Sequence, residues 1–126
     1  MGSEMKLCLV VDNSSVVRKV AKYILNSVGY EVVEAVNGQE ALEKCQLRIP
    51  DAILVDRDMP LLGGQDFLTM FMRTLKGPKP FIVYSTIENN PTDIARAITM
   101  GADGYVLKPY DRNDLLEQFA KLGRTA

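Results

Sequence analysis

Three short apolar runs, each ending in one polar residue, constrain the fold of this chain more than any other feature. The runs and their end residues are Leu9-Val10-Val11 with Asp12, Ile53-Leu54-Val55 with Asp56, and Tyr105-Val106-Leu107 with Lys108. Runs this short and apolar are typical of strands buried on both faces, as in a parallel sheet. Because the carboxyl ends of such strands meet in one crevice, two carboxylates and one ammonium are predicted to gather there. That set of charges favours a magnesium and phosphoryl site.

Strands and helices are predicted to alternate along the whole chain. The predicted strands are residues 6–11, 31–35, 52–55, 81–84 and 105–107, and helices are predicted over 15–28, 37–47, 65–75, 90–101 and 111–122. Alternation of this kind implies a parallel sheet with right-handed crossovers. The predicted fold class is therefore α/β, a doubly wound five-stranded parallel sheet of order 2-1-3-4-5 with five helices.

The helical segments carry their own signals in the sequence. Asn37 with Glu40 three residues later forms a capping-box pattern, and Asn90-Pro91 is a strong helix start. The first helix is predicted to bury one face, and Gly29 is predicted to end it. The apolar residues of that face are Val17, Val20, Ala21, Ile24, Leu25 and Val28.

Length and composition bound the class of protein. With 126 residues, 47% of them hydrophobic and 25% charged, the chain suits one globular domain with a real core. The net charge is −1 and no block of like charge stands out, so nothing favours nucleic acid or a membrane as a partner. The chain shows no apolar signal segment and no run near the ~20 residues that span a bilayer. A cytoplasmic location is therefore expected.

The domain boundaries follow from the outermost predicted elements. Residues 1–5 are expected to be a disordered N-terminal segment or the remnant of a tag, residues 6–122 the domain, and residues 123–126 a short tail. The sequence contains no histidine, which excludes histidine triads, histidine metal sites and a phosphohistidine carrier within this chain. Cys8 and Cys45 are expected to be reduced structural thiols.

The predicted strand order turns these residues into a geometry. Asp12 and Asp56 end neighbouring strands, which lie about 4.8 Å apart. Two carboxylates that close repel each other, so either one pKa rises or a cation lies between them. Magnesium suits such a site best, because it prefers oxygen ligands and keeps several waters. Ser85 ends the next strand, and Lys108 lies one strand further, from which its ammonium can reach back to a phosphoryl oxygen.

The chain resembles the receiver domains of two-component response regulators, of the single-domain chemotaxis-regulator (CheY-like) type. The resemblance covers residues 6–122 and implies the flavodoxin-like (CheY-like) form of the predicted fold. The matching segments are Leu9-Val10-Val11-Asp12-Asn13-Ser14, Leu54-Val55-Asp56-Arg57-Asp58-Met59-Pro60 with Gly64, Ser85 after an apolar strand, and Gly104-Tyr105-Val106-Leu107-Lys108-Pro109-Tyr110.

This resemblance implies a role for each residue of the site. Asp56 would be the phosphoacceptor, taking the phosphoryl group from a histidine kinase or a histidine phosphotransfer protein. Mg²⁺ would be held by Asp12, through water, by Asp56 and by the backbone carbonyl of Asp58. Ser85 and Lys108 would bind the phosphoryl group, and the Lys108-Pro109 bond would be cis.

The resemblance also implies how a signal would leave the domain. Phosphorylation adds charge and three acceptor oxygens at Asp56. Ser85 would move toward them, and Tyr105 would turn into the space that Ser85 leaves. The surface of the fourth helix, fifth strand and fifth helix would change and meet a downstream protein target. The chain would be a monomer or a weak phosphorylation-dependent dimer, and no enzyme beyond self-catalysed phosphotransfer and slow autodephosphorylation.

Two residues depart from the family pattern, and the pattern assigns no side-chain role to two others. Asn13 stands where an acidic metal ligand is usual, so its amide oxygen would complete the magnesium site with one charge fewer. Thr86 stands where the family generally has a very small residue, and its extra bulk would restrict access to Asp56. Arg57 either pairs with nearby acids or points into solvent, and solvent is the favoured prediction. Asp58 places a carboxylate at the pocket mouth.

Two other functions compete with the phosphorylation switch. Asn13 and Thr86 are also compatible with a degenerate pseudo-receiver that acts as a phosphorylation-independent binding module. The sequence Asp56-Arg57-Asp58 fits the aspartate pattern of haloacid-dehalogenase-type phosphatases. That pattern belongs after the first strand of a larger chain, whereas here it follows the third predicted strand.

Overall fold

Five parallel strands and five α-helices alternate along residues 5–124, the part of the chain that the computed structural model describes. The strands are β1 (Lys6–Val11), β2 (Tyr30–Ala35), β3 (Ala52–Asp56), β4 (Phe81–Thr86) and β5 (Gly104–Leu107). The helices are α1 (Ser15–Asn26), α2 (Gly38–Leu47), α3 (Gly64–Thr74), α4 (Pro91–Thr99) and α5 (Arg112–Phe119). A 3₁₀ helix over Ala120–Arg124 follows α5.

The strands form one sheet in the order β2-β1-β3-β4-β5, which confirms the predicted topology. β2 therefore lies on one side of β1, and β3, β4 and β5 lie on the other side. The direction in which strands are added reverses at this point, so the switch point lies between β1 and β3. Pairing Asp56 with Ser85 and Thr86 with Leu107 extends β4 two residues beyond its predicted end. This pairing brings the polar residues after the apolar runs to one edge of the sheet.

Each face of the sheet packs against a separate set of helices, so the central strands are buried on both sides. α2, α3 and α4 cover one face, where Phe67, Leu68 and Phe71 are buried. α1 and α5 cover the other, where Leu25 and Leu115 are fully buried. Every residue of β3 and β4 is buried. Burial of each large apolar side chain contributes about 1.5–3 kcal/mol, so the core fixes the strand ends firmly.

The helix starts follow the capping residues that the sequence contains. Asn37 and Asn90 accept hydrogen bonds from backbone N–H groups in the first turns of α2 and α4. The capping box at α2 differs from the prediction, because Glu40 accepts from the N–H of Val36, one residue before the cap. A reciprocal capping box is formed instead at α5, between Asp111 and Asp114.

The predicted buried face of α1 was too wide. Ala21, Ile24 and Leu25 are buried, whereas Val20 and Val28 are 46% and 45% exposed. Val28 is exposed because α1 ends at Asn26, so this residue lies in the turn that leads to β2. Val20 lines an open groove between α1 and the loop after β5 instead of packing on the sheet.

Part of the predicted termini falls outside the described residues. This applies to residues 1–4 of the predicted N-terminal segment and to residues 125–126 of the predicted tail. Within residues 5–124, no helix combines the length and the apolar character that crossing a membrane requires.

Candidate functional site

Asp12 directly follows β1 and is buried, with 3% of its surface exposed. Its Oδ1 accepts a hydrogen bond from the backbone N–H of Ser14 at 2.8 Å. Its Oδ2 accepts one from Nζ of Lys108 at 2.9 Å. Arg18 Nη1 donates to the backbone carbonyl of Asp12 at 2.6 Å. The position of this carboxylate is therefore fixed by the loop after β1 and by Lys108, which follows β5.

Asp56 is the last residue of β3 and is 4% exposed. Its Oδ1 accepts from the Ser85 hydroxyl at 3.3 Å and lies 3.3 Å from Nζ of Lys108. Burial, followed by the negative charge of Asp12, raises the pKa of Asp56 to about 6, although Lys108 and Ser85 favour the ionised form. Asp56 is thus an ionised carboxylate at neutral pH that binds a proton more tightly than an ordinary aspartate.

Lys108 is the positive partner of both carboxylates. Its side chain is 16% exposed, and its peptide bond to Pro109 is cis. Burial disfavours the charge of Lys108, but the hydrogen bond to Asp12 and the charges of Asp56 and Asp12 raise its pKa above the ordinary value. The pocket therefore holds two carboxylates and one ammonium, with a net charge of −1.

Ser85 and Thr86 are the last two residues of β4, and Ser85 pairs with Asp56 across the sheet. Both are buried. The carbonyl of Ser85 accepts from the N–H of Arg57 at 2.9 Å, and the carbonyl of Thr86 accepts from the N–H of Lys108 at 2.8 Å. The Thr86 hydroxyl accepts from the N–H of Glu88 at 3.1 Å, which orients it toward the loop between β4 and α4.

The remaining predicted site residues lie at the surface. Asn13 is exposed, in the loop between β1 and α1. The Asp58 side chain is 63% exposed, and Tyr105 on β5 is 39% exposed. The structure therefore brings Asp12, Asp56, Ser85 and Lys108 into direct contact, and the roles of the other three residues remain predictions.

The oxygen atoms of the pocket fit a magnesium ion better than a softer metal. Asp12 and Asp56 offer buried carboxylates, and the Asn13 amide and the Asp58 backbone carbonyl would be the further oxygen ligands. These are hard ligands, too few to form a closed cage, and magnesium characteristically keeps several waters. Within residues 5–124, no three acidic, histidine or cysteine side chains form a metal-binding group on their own. Waters and the Asn13 amide would have to complete the coordination.

Arg57 pairs with acids, so the favoured prediction that it points into solvent was wrong. Its guanidinium contacts Glu88 at 2.8 Å, Asp93 at 3.3 Å and Asp58 at 3.8 Å. The hydrogen bond to Glu88 raises the pKa of Arg57. The sequence did not reveal Asp93 as a partner, because a carboxylate in the first turn of a helix is expected as a favourable dipole contact. Only the packing of α4 beside the loop after β3 brings these side chains together.

The raised pKa of Asp56 predicts a pH-dependent stability. The ordinary value is 3.8 and the folded value about 6, so between these pH values the folded chain holds the proton more tightly than the unfolded chain. Stability therefore falls as the pH rises through this window. In Asp56→Asn this loss is absent, and we expect the variant to be about 1–2 kcal/mol more stable at pH 8 without metal.

Urea unfolding between pH 4 and pH 8 measures this gain. The gain should shrink as the pH falls through about 6. The exposed Asp66 on α3 provides the control, since Asp66→Asn removes the same charge from a solvated site. A gain for Asp56→Asn that persists unchanged at pH 4 would contradict the assignment.

The sheet order, with buried acids and a lysine at the switch point, defines a flavodoxin-like α/β protein. The family model described as "Response regulator receiver domain" matches residues 8–120. The chain therefore belongs to the response regulator receiver family of two-component signalling, and it is CheY-like. This membership agrees with the resemblance seen in the sequence and favours a receiver over a dehalogenase-type phosphatase.

Individual relatives cover nearly the whole chain. The chemotaxis protein CheY of Thermotoga maritima is 31% identical over 120 residues, which are 94% of this chain and 98% of the relative. The structure of the chemotaxis response regulator CheY4 of Vibrio cholerae has a TM-score of 0.87 and 30% identity, covering 94% of this chain and 98% of that one. The chain also matches 16% of the longer CAI-1 autoinducer sensor kinase/phosphatase CqsS of Vibrio cholerae, at 34% identity.

Proposed function

We propose that this chain is a phosphorylation-switched receiver in which Asp56 accepts a phosphoryl group from a histidine kinase or a histidine phosphotransfer protein. The contact of Lys108 with both Asp12 and Asp56 carries the proposal. An ammonium between two buried carboxylates is costly to maintain. Its place is explained if the same ammonium binds the transferred group.

The transfer would begin with the Asp56 carboxylate, which is ionised at neutral pH. Both contacts to Asp56 fall on Oδ1. Among residues 5–124, no group donates a hydrogen bond to Oδ2, so this oxygen is the proposed nucleophile. The new O–P bond would form as the P–N bond of the donor phosphohistidine breaks, and the electron pair would stay on the imidazole nitrogen.

Lys108 and Ser85 would bind the phosphoryl oxygens once the group is on Asp56. Lys108 would exchange part of its contact with Asp12 for an ion pair with the phosphoryl group. A bound Mg²⁺ would supply the further positive charge that offsets the developing negative charge. Asp12, Asp56, Asn13 and the backbone carbonyl of Asp58 would hold it.

The proposed output surface consists of α4, β5 and α5. Ser85 would move toward the phosphoryl group, and Tyr105, which is half-exposed on β5, would turn inward. Ile98 of α4 is 47% exposed and would contribute to an altered surface for a downstream protein. The shift would be one between existing conformations, limited by the differential affinity of the phosphoryl group for each.

Exposed apolar side chains around the pocket support the proposal that the phosphodonor is a protein. Val16, Leu61 and Ile87 are among the most exposed apolar side chains of the described residues, at 69%, 83% and 67%. They belong to α1 and to the loops after β3 and β4, the segments that surround the carboxyl edge of the sheet. We infer a cytoplasmic protein that acts through protein contacts, as a monomer or a weak phosphorylation-dependent dimer, without binding nucleic acid or a membrane.

Phosphorylation of the purified chain tests the proposal. Incubation with acetyl phosphate and Mg²⁺ should give a mass increase of one phosphoryl group in the native chain. Asp56→Ala should give none, whereas Asp66→Asn should be modified like the native chain. Absence of the adduct with acetyl phosphate, phosphoramidate and a phosphorylated histidine kinase alike would reject the proposed function.

A second candidate is a phosphorylation-independent binding module. It is favoured by the exposed amide of Asn13 in place of an acid and by the buried side chain of Thr86 beside the acceptor. Under this alternative, Asp56→Ala would bind the downstream partner as well as the native chain does.

A further inference from the structure

The carboxylate of Asp93 holds donors from three different elements. Asp93 lies in the first turn of α4 and is 8% exposed. Its Oδ1 accepts from Nε2 of Gln65 at 2.6 Å and lies 3.3 Å from Nε of Arg57. Its Oδ2 accepts from the Tyr84 hydroxyl at 3.1 Å. The start of α4 is thereby bound to α3, to β4 and to the residue that follows Asp56.

Arg57 also holds the loop between β4 and α4. Its Nη1 contacts Glu88 of that loop at 2.8 Å. The backbone of Arg57 is fixed as well, because its N–H donates to the carbonyl of Ser85 and its carbonyl accepts from the N–H of Gly64. One guanidinium therefore joins the loop after β3, the loop after β4 and the first turn of α4.

We infer that Arg57, Glu88 and Asp93 form a latch that stabilises the resting conformation of this receiver, an inference that rests on the proposed phosphorylation of Asp56. Ser85 would move toward the phosphoryl group. Glu88 follows Ser85 by three residues, and its N–H is bonded to the Thr86 hydroxyl. The loop that holds Glu88 would move with Ser85, and this shift would have to change the 2.8 Å contact of Glu88 with Arg57, so the ion pair opposes the shift to the phosphorylated conformation.

The latch and a simple charge effect predict opposite results for loss of Arg57 and the same result for loss of Glu88. Arg57 lies beside the phosphoacceptor, so loss of its positive charge would weaken the binding of an anion there, whereas loss of the negative charge of Glu88 would strengthen it. If the latch operates, either substitution releases α4 and strengthens binding of a phosphoryl mimic by the same linkage. The two variants therefore change affinity in the same direction only if the latch exists.

Beryllofluoride, which mimics a phosphoryl group on a carboxylate, is the probe, and its affinity is measured by fluorine NMR in the presence of Mg²⁺. Arg57→Gln and Glu88→Gln should each bind it about twofold to fivefold more tightly than the native chain. The double variant should gain no more than Arg57→Gln alone, because Glu88→Gln removes a contact that Arg57→Gln has already lost. In the unliganded variants, the amide signals of Ile94 and Ala97 should shift toward their positions in the bound native chain.

Two further variants keep the test decisive. Lys79→Gln removes an ion pair of comparable exposure, to Asp103, at the opposite edge of the sheet, and should leave the affinity unchanged. Arg57→Lys retains the charge but lacks the planar fork, so it should also bind more tightly, and it replaces Arg57→Gln should that variant not fold.

The outcomes separate the latch from the proposed function. Binding of beryllofluoride by the native chain, with opposite effects of Arg57→Gln and Glu88→Gln or with none, would overturn the latch and leave the proposed function intact. No binding by the native chain would overturn both. Tighter binding by both variants supports the latch.

Discussion

Replacing Lys108 with methionine is expected to lower the free energy of unfolding by about 3 kcal/mol at pH 8 in metal-free buffer. Methionine keeps most of the length of the side chain but removes the ammonium from its positions 2.9 Å from Asp12 and 3.3 Å from Asp56. Two buried carboxylates then face each other without a counter-ion, and Asp56 already has a raised pKa when Lys108 is present. The same variant should lose phosphorylation by acetyl phosphate.

The expected loss of stability depends on pH and on magnesium. Without Lys108 the pKa of Asp56 should rise further, so the loss is present above that pKa and shrinks as the pH falls below it. Added Mg²⁺ should recover part of the loss, because it binds the folded state and neutralises the same charges. Urea unfolding at pH 5 and pH 8, with and without Mg²⁺, measures both effects.

A double variant gives the matched control for Lys108. Asp12→Asn combined with Lys108→Met leaves one carboxylate and no ammonium, so most of the repulsion disappears. We expect this double variant to be clearly more stable than Lys108→Met alone. Equal stability of the two at pH 8 would mean that the destabilisation comes from lost packing of the lysine stem and that the charge balance of the pocket is unimportant.

The sequence was sufficient to predict the sheet because its signals are local. Runs such as Ile53-Leu54-Val55 lie in β3, which is buried on both faces. The order of the strands then follows from the short list of topologies open to alternating strands and helices. The proximity of Asp12, Asp56 and Lys108 follows in turn, because each residue comes directly after an apolar run. No feature of these steps requires knowledge of how side chains pack.

The contacts of Arg57 could not be predicted in this way. Its partners Glu88 and Asp93 lie more than thirty positions away in the sequence, and their approach depends on how α4 sits beside the loop after β3. The exposure of Val20 has a similar origin, since periodicity identifies an apolar stripe without giving the width of the contact it makes. The positions of strand ends are fixed by backbone pairing, whereas ion pairs such as those of Arg57 depend on the tertiary packing of individual side chains.

The residue at position 13 affects the charge balance of the pocket. Two carboxylates and one ammonium leave a net charge of −1, and an acid at position 13 would make it −2. A less negative pocket should bind a divalent cation less tightly but should need the cation less for its own stability. Compared with an acid at this position, Asn13 would therefore lower the magnesium affinity and raise the stability of the metal-free fold.

Asn13→Asp is expected to raise the affinity for Mg²⁺ about tenfold to thirtyfold. A carboxylate beside a divalent ion gains about 2 kcal/mol even where solvent screens the interaction, and Asn13 is exposed. Phosphorylation by acetyl phosphate at limiting Mg²⁺ should accelerate in proportion. Isothermal titration with MgCl₂, at constant ionic strength, measures the affinity directly.

Asn26→Asp introduces the same charge at the end of α1, at the opposite edge of the sheet, and should change the magnesium affinity less than twofold. In metal-free buffer, Asn13→Asp should be less stable than the native chain, because the added carboxylate repels Asp12 and Asp56; with Mg²⁺ at saturation the order should reverse. If Asn13→Asp leaves the magnesium affinity as unchanged as the control does, Asn13 does not face the metal. In that case the charge of this position cannot explain whether the pocket is phosphorylated.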